Sequence, residues 1–419
     1  MPQTFSDVAC TVCGCVCDDL QVTVDDGCIT QVSGACHLAK PWFAALAKPL
    51  IRPAAAVDGK PVSLPQAIER AAEILRSSRA PLMWGLTRSS TVGQRAAIAL
   101  AEQLGGTVDT TASCHPAVTL AFQNVGQSTC SLGEVRNRAD LVVFWGVDPV
   151  TTHTRHLERY SVDPIGEFLP RGRADRTVVV IDSSATPTSE LADTFIQISP
   201  DSDLEIANLL RKVVGDGKHL ATDDAVLPAE QLQKLAQQMK SCQYGAIFFG
   251  AGQSDRAVIE ALLQLTTELN KFTRFTAHYL PKSGAPTGAE NVLCWQTGFP
   301  FAVNFALGYP RYNPTEFSAN ALLEAGQVDA CVLVGSEGFA ELSSVAQERL
   351  LQLPTIALDY PIVEPRLPAT VQITTAIYGI HAAGTAYRMD GVPIPLRQLM
   401  SATYPTDDEV LSAIAGKLK

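Results

Sequence analysis

The sequence predicts an α/β protein: two doubly wound lobes preceded by a small, β-rich, cysteine-bearing N-terminal domain. Three observations carry this reading. After residue 65, apolar strand-length runs alternate with amphipathic helical stretches, a pattern that calls for parallel sheets covered on both faces. Several of these runs end in Gly or Asp, at the strand ends where doubly wound folds place ligands. Finally, six of the eleven cysteines fall within residues 10–36, a segment of short alternating stretches and turn residues.

In chain order, Leu20-Gln-Val-Thr-Val24 alternates with period two, Asp25-Asp26-Gly27 signals a tight turn, and Ile29-Thr-Gln-Val32 alternates again. This predicts a β-hairpin with cysteines at both ends. A proline-rich connector, 41–65, leads to a helix at 66–78 with Ser63 as its cap and Pro65 in its first turn. Strands are predicted at 81–85, 141–147, 177–182, 245–252, 330–335 and 354–359, with a further strand-like segment at 106–111. Helices include 92–105, 203–215 and 255–270. The expected division is residues 1–52, a discontinuous lobe of 53–130 with 243–419, and an inserted lobe of 131–242. No GxGxxG follows any strand, which argues against a nicotinamide dehydrogenase.

Composition narrows the class. The chain has 419 residues, 46% hydrophobic and 18% charged, with a formal net charge of -11, so it is globular and apolar enough for large buried interfaces. No Lys/Arg run supplies a phosphate-neutralising surface, and no nucleic-acid partner is expected. The start MPQTFSDVAC lacks a basic region followed by an apolar one, and the most apolar runs are strand-length. A cytoplasmic protein without a signal peptide or membrane span is therefore expected. In such a compartment the cysteines are not a disulfide framework.

The cysteines read Cys10-x2-Cys13-x3-Cys17, with Cys36 brought back by the hairpin. Three thiolates on a tight loop and a fourth closing the site suit a 4Fe-4S cluster. Zinc, which prefers paired CxxC knuckles, and metal-free buried thiols are the alternatives. Cys15 and Cys28 lie off the spacing. A second candidate site is the turn Ser113-Cys114-His115-Pro116 after the 106–111 segment. A thiolate beside an imidazole suits a soft metal and proton movement, whereas an isolated Cys-His pair is more often structural. His153, Arg155 and His156 form a polar group on the loop after strand 141–147, suited to ligand contact, partner contact or helix capping. Tyr387, Arg388 and Asp390 form a similar loop motif.

These residues sit in longer stretches that resemble one family. Cys10-Thr-Val-Cys13-Gly-Cys-Val-Cys17-Asp18-Asp19 and Gly34-Ala-Cys36 resemble the start of the B subunit of formylmethanofuran dehydrogenase, a branch of the molybdopterin oxidoreductases. The resemblance continues through Thr111–His115, Leu132–Asp140, Phe144–Pro149, His153–His156, Arg159–Ser161, Trp295–Phe301, Gly308–Pro314 and Gly384–Gly391. It implies a molybdopterin-oxidoreductase-like fold with an iron-sulfur-type N-terminal domain. It also implies a 4Fe-4S cluster on Cys10, Cys13, Cys17 and Cys36, and a molybdopterin or tungstopterin guanine dinucleotide centre. Cys114 would ligate the metal and His115 would stand where carbon dioxide becomes formate. His153, Arg155, His156, Asp182 and Arg388 would contact the cofactor. The implied partners are the other subunits of a formylmethanofuran dehydrogenase or of the bacterial formyltransferase/hydrolase complex. One of them would supply the C-terminal domain that larger relatives use to complete the pterin site.

The chain departs from the family at several points. It has Cys-His-Pro-Ala at 114–117 where relatives read Cys-His-Gly-Pro, and Ser183-Ser184 where a Pro-Arg pair follows the strand-end Asp. Asp148 replaces an Asn, and Lys282 is the nearest cation to an Arg expected before Trp295. Two readings follow: a redox subunit carrying cluster and metal-pterin, or a catalytically silent structural subunit with a degenerate pterin site.

Overall fold

The computed structural model describes residues 1–48, 52–216, 227–250, 255–281, 287–363 and 367–418; Lys282 lies outside them, as do the last two residues of the strand expected at 245–252. The chain divides into two compact units, one of Met1–Cys114 with Gly284–Lys419 and one of His115–Ser283.

In the first unit the N-terminal segment forms a three-stranded antiparallel sheet, Gln3–Val8, Leu20–Asp25 and Cys28–Ser33. Asp25 pairs with Cys28, leaving Asp26 and Gly27 as the two-residue loop, both at positive φ (48° and 71°). An Asp-Gly pair suits this mirror-image turn, whose twist matches the flanking strands.

The same unit holds a nine-stranded sheet. Its central strands Thr107–Thr110, Pro81–Gly85, Ala330–Val334, Thr355–Asp359 and Val371–Thr374 run parallel in that spatial order. Short antiparallel strands close both edges. From Pro81–Gly85 the chain winds to one side, and from Ala330–Val334 to the other. The carboxyl ends of these two neighbours therefore form the switch point where such sheets leave a crevice. Gly85 is required there: it sits at φ 108° and a Cβ would lie 2.6 Å from the Val334 carbonyl oxygen. The helix Leu64–Ser77 starts with a capping box between Ser63 and Gln66, and Thr91–Leu104 is capped by Ser90.

The second unit is a five-stranded parallel sheet in the order Thr194–Gln197, Thr177–Asp182, Leu141–Trp145, Tyr244–Gly250, Arg274–Leu280. One face packs Leu141, Val143, Trp145, Ile247 and Phe249 against the helices Asp203–Asp216, Ala229–Ser241 and Arg256–Leu269. The alternate residues Phe144, Phe248 and His278 face the other way, as period two demands. Phe144 and Phe248 stack at 5.5 Å, and Phe248 stacks on His278 at 5.0 Å.

These ladders put the unit boundaries elsewhere than the expected breaks at 130/131 and 242/243. Tyr244–Gly250 pairs with Leu141–Trp145, so 244–280 stays with the inserted segment. Thr194–Gln197, Arg274–Leu280 and Val371–Thr374 are strands that the apolar-run criterion did not single out. Among the described residues no helix is long and apolar enough to cross a membrane.

Phe248 is fully buried between two aromatic neighbours. Phe248→Ala should cost about 3–5 kcal/mol of stability through lost burial and the cavity left behind. Urea unfolding followed by circular dichroism reads this; a cost below about 1 kcal/mol would contradict the packing.

Candidate functional site

The cysteine loop is built by the hairpin. Strand Gln3–Val8 delivers Cys10, whose N–H donates to the Cys17 carbonyl at 2.8 Å and closes the loop; Val16 N–H donates to the Cys13 carbonyl at 3.2 Å. The hairpin then returns the chain, and the Cys36 carbonyl accepts from Ala39 and Lys40 at the start of the next helix. Cys10 and Cys17 are buried, Cys13 and Cys36 half-buried, and none of the eleven cysteines is in a disulfide. Burial pushes Cys10 up to about 12, and the charges of Cys13, Cys17 and Cys36 each push the same way. Cys13 is lowered instead, chiefly by a side-chain hydrogen bond from Cys15. Among the described residues no three His, Cys, Asp or Glu side chains gather tightly enough around one point for a single ion.

Cys114 ends the short 3-10 turn Thr111–Cys114. Its half-buried side chain packs on the apolar cluster around Leu82, Trp84 and Leu333, with the Asn320 amide 4.0 Å from the sulfur. Burial raises its thiol to about 12, with Asp109 and then Glu341 adding to the shift. Asp109 is fully buried, accepting from Ser113 Oγ (2.6 Å) and from the amides of Ala302 (2.9 Å) and Ala319 (2.6 Å). Burial holds its carboxyl at about 6 despite these donors. His115 is exposed, and Pro116 stands at the cap of the helix Ala117–Val125.

Nearby in the first unit, the switch point holds Arg88 ion-paired with Glu337. Trp84 Nε1, Arg88 Nη1, Gln94 Oε1 and Ser336 Oγ are buried there without a hydrogen-bond partner among the described residues. A concentration of buried unmet polar atoms at a strand-end crevice fits a polar organic ligand. Asp359, at the end of its strand, accepts from the Ser336 amide at 2.7 Å and is held at about 6 by burial.

The remaining expected residues divide. In the second unit, Asp182 ends its strand half-exposed, accepting from the Ser184 amide at 3.1 Å. Arg155 is half-buried and pairs with Glu158. His156 is entirely buried, bonded to Ser161 Oγ at 3.0 Å and edge-on to Phe248 at 4.7 Å. His153 is buried as well, 3.0 Å from Thr152 Oγ1. In the first unit, Arg388 is buried and clamps Asp390 through two bonds of 2.7 and 2.6 Å. As placed, His153, His156 and Arg388 brace loops from within. Asp148 is also occupied by the fold, accepting from the Thr188 hydroxyl and amide and from Thr151. Asp109, Asn320, Glu341 and Cys15 were not singled out by sequence; Asp109 was visible only as a charge in an otherwise neutral strand.

No family model matches the chain. It is 36% identical to the B subunit of the tungsten-containing formylmethanofuran dehydrogenase 2 of Methanocaldococcus jannaschii, over 100% of this chain and 99% of that protein. The chain belongs to the family of formylmethanofuran dehydrogenase B subunits. The counterpart from Methanococcus maripaludis is 33% identical over 99% of both chains. The B subunit of the formyltransferase/hydrolase complex Fhc of Methylorubrum extorquens is 27% identical over 68% of this chain and 75% of that protein. Among solved structures, the formyltransferase/hydrolase complex FhcABCD from Methylorubrum extorquens, in complex with methylofuran, matches with a TM-score of 0.72 and 25% identity. That match covers 87% of this chain and 98% of that one. Acetylene hydratase from Pelobacter acetylenicus matches at a TM-score of 0.69 and 12% identity, covering 99% of this chain and 69% of that one, and shares the mixed α/β fold.

The buried histidines of this formylmethanofuran dehydrogenase family member make a pH prediction. Burial lowers His153 to about 4 and drives His156 well below its usual value, with His153 and His278 adding to the effect. Above pH about 6.5 these rings are neutral in both native and unfolded chains. Below it the unfolded chain takes up protons that the native rings refuse, so stability falls as pH drops toward 4. Asp109 and Asp359 act with the opposite sign, because their raised native carboxyls bind protons before the unfolded ones do. The comparison must therefore be differential: His156→Phe should lose less stability than the wild type between pH 7 and pH 5. Parallel pH profiles would contradict the assignment.

Proposed function

We propose that this chain is the B subunit of a formylmethanofuran dehydrogenase-type complex of one-carbon metabolism, interconverting the formyl carrier or formate with carbon dioxide. The observation that carries the reading is the 36% identity across the full length of the tungsten-containing relative. The proposed layout is an iron-sulfur-type N-terminal β domain, residues 1–52, before two doubly wound lobes of the molybdopterin-oxidoreductase kind. Other subunits of the complex are its partners.

In this reading Cys10, Cys13, Cys17 and Cys36 hold a 4Fe-4S cluster. Each iron of a cubane takes one thiolate, so ligands stand farther apart than around a tetrahedral zinc with bonds of about 2.3 Å. The loop closed by the Cys10–Cys17 backbone bond, with Cys36 returned by the hairpin, supports that reading. Cys114 would ligate molybdenum or tungsten held by pterin dithiolenes. Its surroundings accept that role, because a bound cation reverses the pressure that Asp109 and Glu341 put on the thiolate. Such a centre would supply two-electron chemistry between carbon dioxide and formate.

This chain's own residues do the rest. Asp109 fixes the turn bearing Cys114 by accepting from Ser113 and two backbone amides, and Asn320 flanks the sulfur. Exposed His115, next in the chain, moves the proton. The unmet atoms of Trp84, Arg88, Gln94 and Ser336 bind the polar edge of the cofactor. Within the second unit, Asp182 and Arg155 stand on strand-end loops suited to cofactor contact, with His153 and His156 buried beside them; within the first, Arg388 clamps Asp390 in its own loop.

A second reading, a catalytically silent structural subunit of a formyltransferase/hydrolase complex, is favoured by one specific feature. The cofactor-side replacements Asp148 and Ser183-Ser184 bring no cation, and Asp148 is taken up by Thr188 and Thr151. Metal analysis of the anaerobically purified native complex separates the two. About four irons and one tungsten or molybdenum per copy are expected, and Cys114→Ser should abolish group-six metal and formate oxidation while leaving iron. Iron without that metal, with formyl transfer unaffected by Cys114→Ser, would favour the structural role.

A further inference from the structure

The second unit holds a thiol–imidazole pair that the proposed function does not use. The Cys130 sulfur lies 3.6 Å from Nε2 of His278 and 3.8 Å from the Thr276 hydroxyl. His278 Nε2 and Thr276 Oγ1 are themselves 2.9 Å apart, and the Thr276 hydroxyl donates to the Gly245 carbonyl at 3.4 Å. Thr276 and His278 stand two residues apart on the edge strand Arg274–Leu280, and so share one face. Three bonds tie the segment bearing the thiol to that strand. Ala277 N–H donates to the Ser128 carbonyl at 2.8 Å, the Gln127 amide donates to the Ala277 carbonyl at 2.9 Å, and Ser128 Oγ donates to the Phe275 carbonyl at 3.0 Å. Stacking on Phe248 at 5.0 Å holds the His278 ring. The imidazole is buried, whereas Cys130 is only half-buried.

We propose that Cys130 is a nucleophilic thiol with His278 as its base, a modification site that forms mixed disulfides with small disulfide molecules. An attacking thiol must be ionised, and an imidazole within hydrogen-bond reach takes its proton. Here Nε2 of His278 takes it. The imidazolium N–H then faces the thiolate and Thr276 Oγ1, which is left to accept because its own proton goes to Gly245. The thiolate attacks one sulfur of R–S–S–R. A bond forms to the Cys130 sulfur as the old S–S bond breaks, and the leaving R–S⁻ collects the proton from His278. One disulfide is consumed and one is made, so no further oxidant enters. The titratable neighbours leave this proton transfer to the pair. Burial, then Cys130 and Glu134, push the Tyr244 phenol up, so it stays neutral. His156, also against Phe248, is kept neutral chiefly by burial, and Glu134 faces Arg138.

Cys294 is the internal control: it is more exposed, yet burial and Glu290 raise its thiol and no imidazole is bonded to it among the described residues. The native complex, purified anaerobically, is treated with glutathione disulfide or with iodoacetamide between pH 6 and pH 9. Peptide mass spectrometry gives the rate at each cysteine. At pH 7 Cys130 should react about tenfold faster than Cys294 with either probe. Its rate should level off toward pH 6, where that of Cys294 keeps falling about tenfold per pH unit. His278→Gln should slow Cys130 about tenfold and restore the steep pH dependence; Thr276→Val, which keeps the imidazole, should slow it less. A wild-type Cys130 rate no higher than that of Cys294, or a parallel pH profile, overturns the proposal without any variant having to fold. An unchanged Cys130 rate in His278→Gln overturns it as well. Fast alkylation with no mixed disulfide from glutathione disulfide overturns the exchange reaction.

Discussion

Acidic groups brought together away from water are the constraint on which the first unit turns. The N-terminal loop carries four thiols at the ligand spacing, and the Cys114 turn adds a buried carboxyl and a second acid to a half-buried thiol. Such groups ionise together only at a steep desolvation and repulsion cost. Burial raises the Cys10 and Cys114 thiols and the Asp109 carboxyl, whereas Cys13 is lowered by its hydrogen bonds from Cys15. A bound cation removes that cost. In the proposed function a bound cation plays that part at each place, and at the second of them Asp109 itself helps to fix the turn that bears Cys114.

How much of this was readable from sequence depends on the kind of signal. The Asp26-Gly27 turn is local, and the hairpin follows from it without tertiary information. Runs such as Leu141–Trp145 and Ala330–Val334 are buried on both faces and stand out as apolar. Arg274–Leu280 does not: Arg274, Thr276 and His278 interrupt it, with His278 stacked on Phe248 and both Thr276 and His278 beside the Cys130 sulfur (3.8 and 3.6 Å). The pairing of Tyr244–Gly250 with Leu141–Trp145, which no local pattern reveals, is what places the unit break after 280 rather than at 242.

The candidate cysteine site was read from spacing alone. Cys10, Cys13, Cys17 and Cys36 share a short loop and one hairpin, so distance along the chain constrains distance in space. Asn320 and Glu341 reach Cys114 from segments some 200 residues away, which no local pattern reveals. His153 and His156 show the converse. Their polarity reads as ligand contact, yet the ring of His156 fills a gap between Phe248 and Tyr160.

Iron-57 Mössbauer spectroscopy of the anaerobically purified native complex tests the central claim most directly. A single population of high-spin, tetrahedral all-sulfur sites is expected, with the delocalised valence of a cubane on the four N-terminal cysteines. That signal should vanish when Cys36, the ligand the hairpin returns to the loop, is replaced by serine in an otherwise folded chain. A wild-type sample whose four thiols carry no iron, or one whose cluster spectrum is unchanged without Cys36, would contradict it.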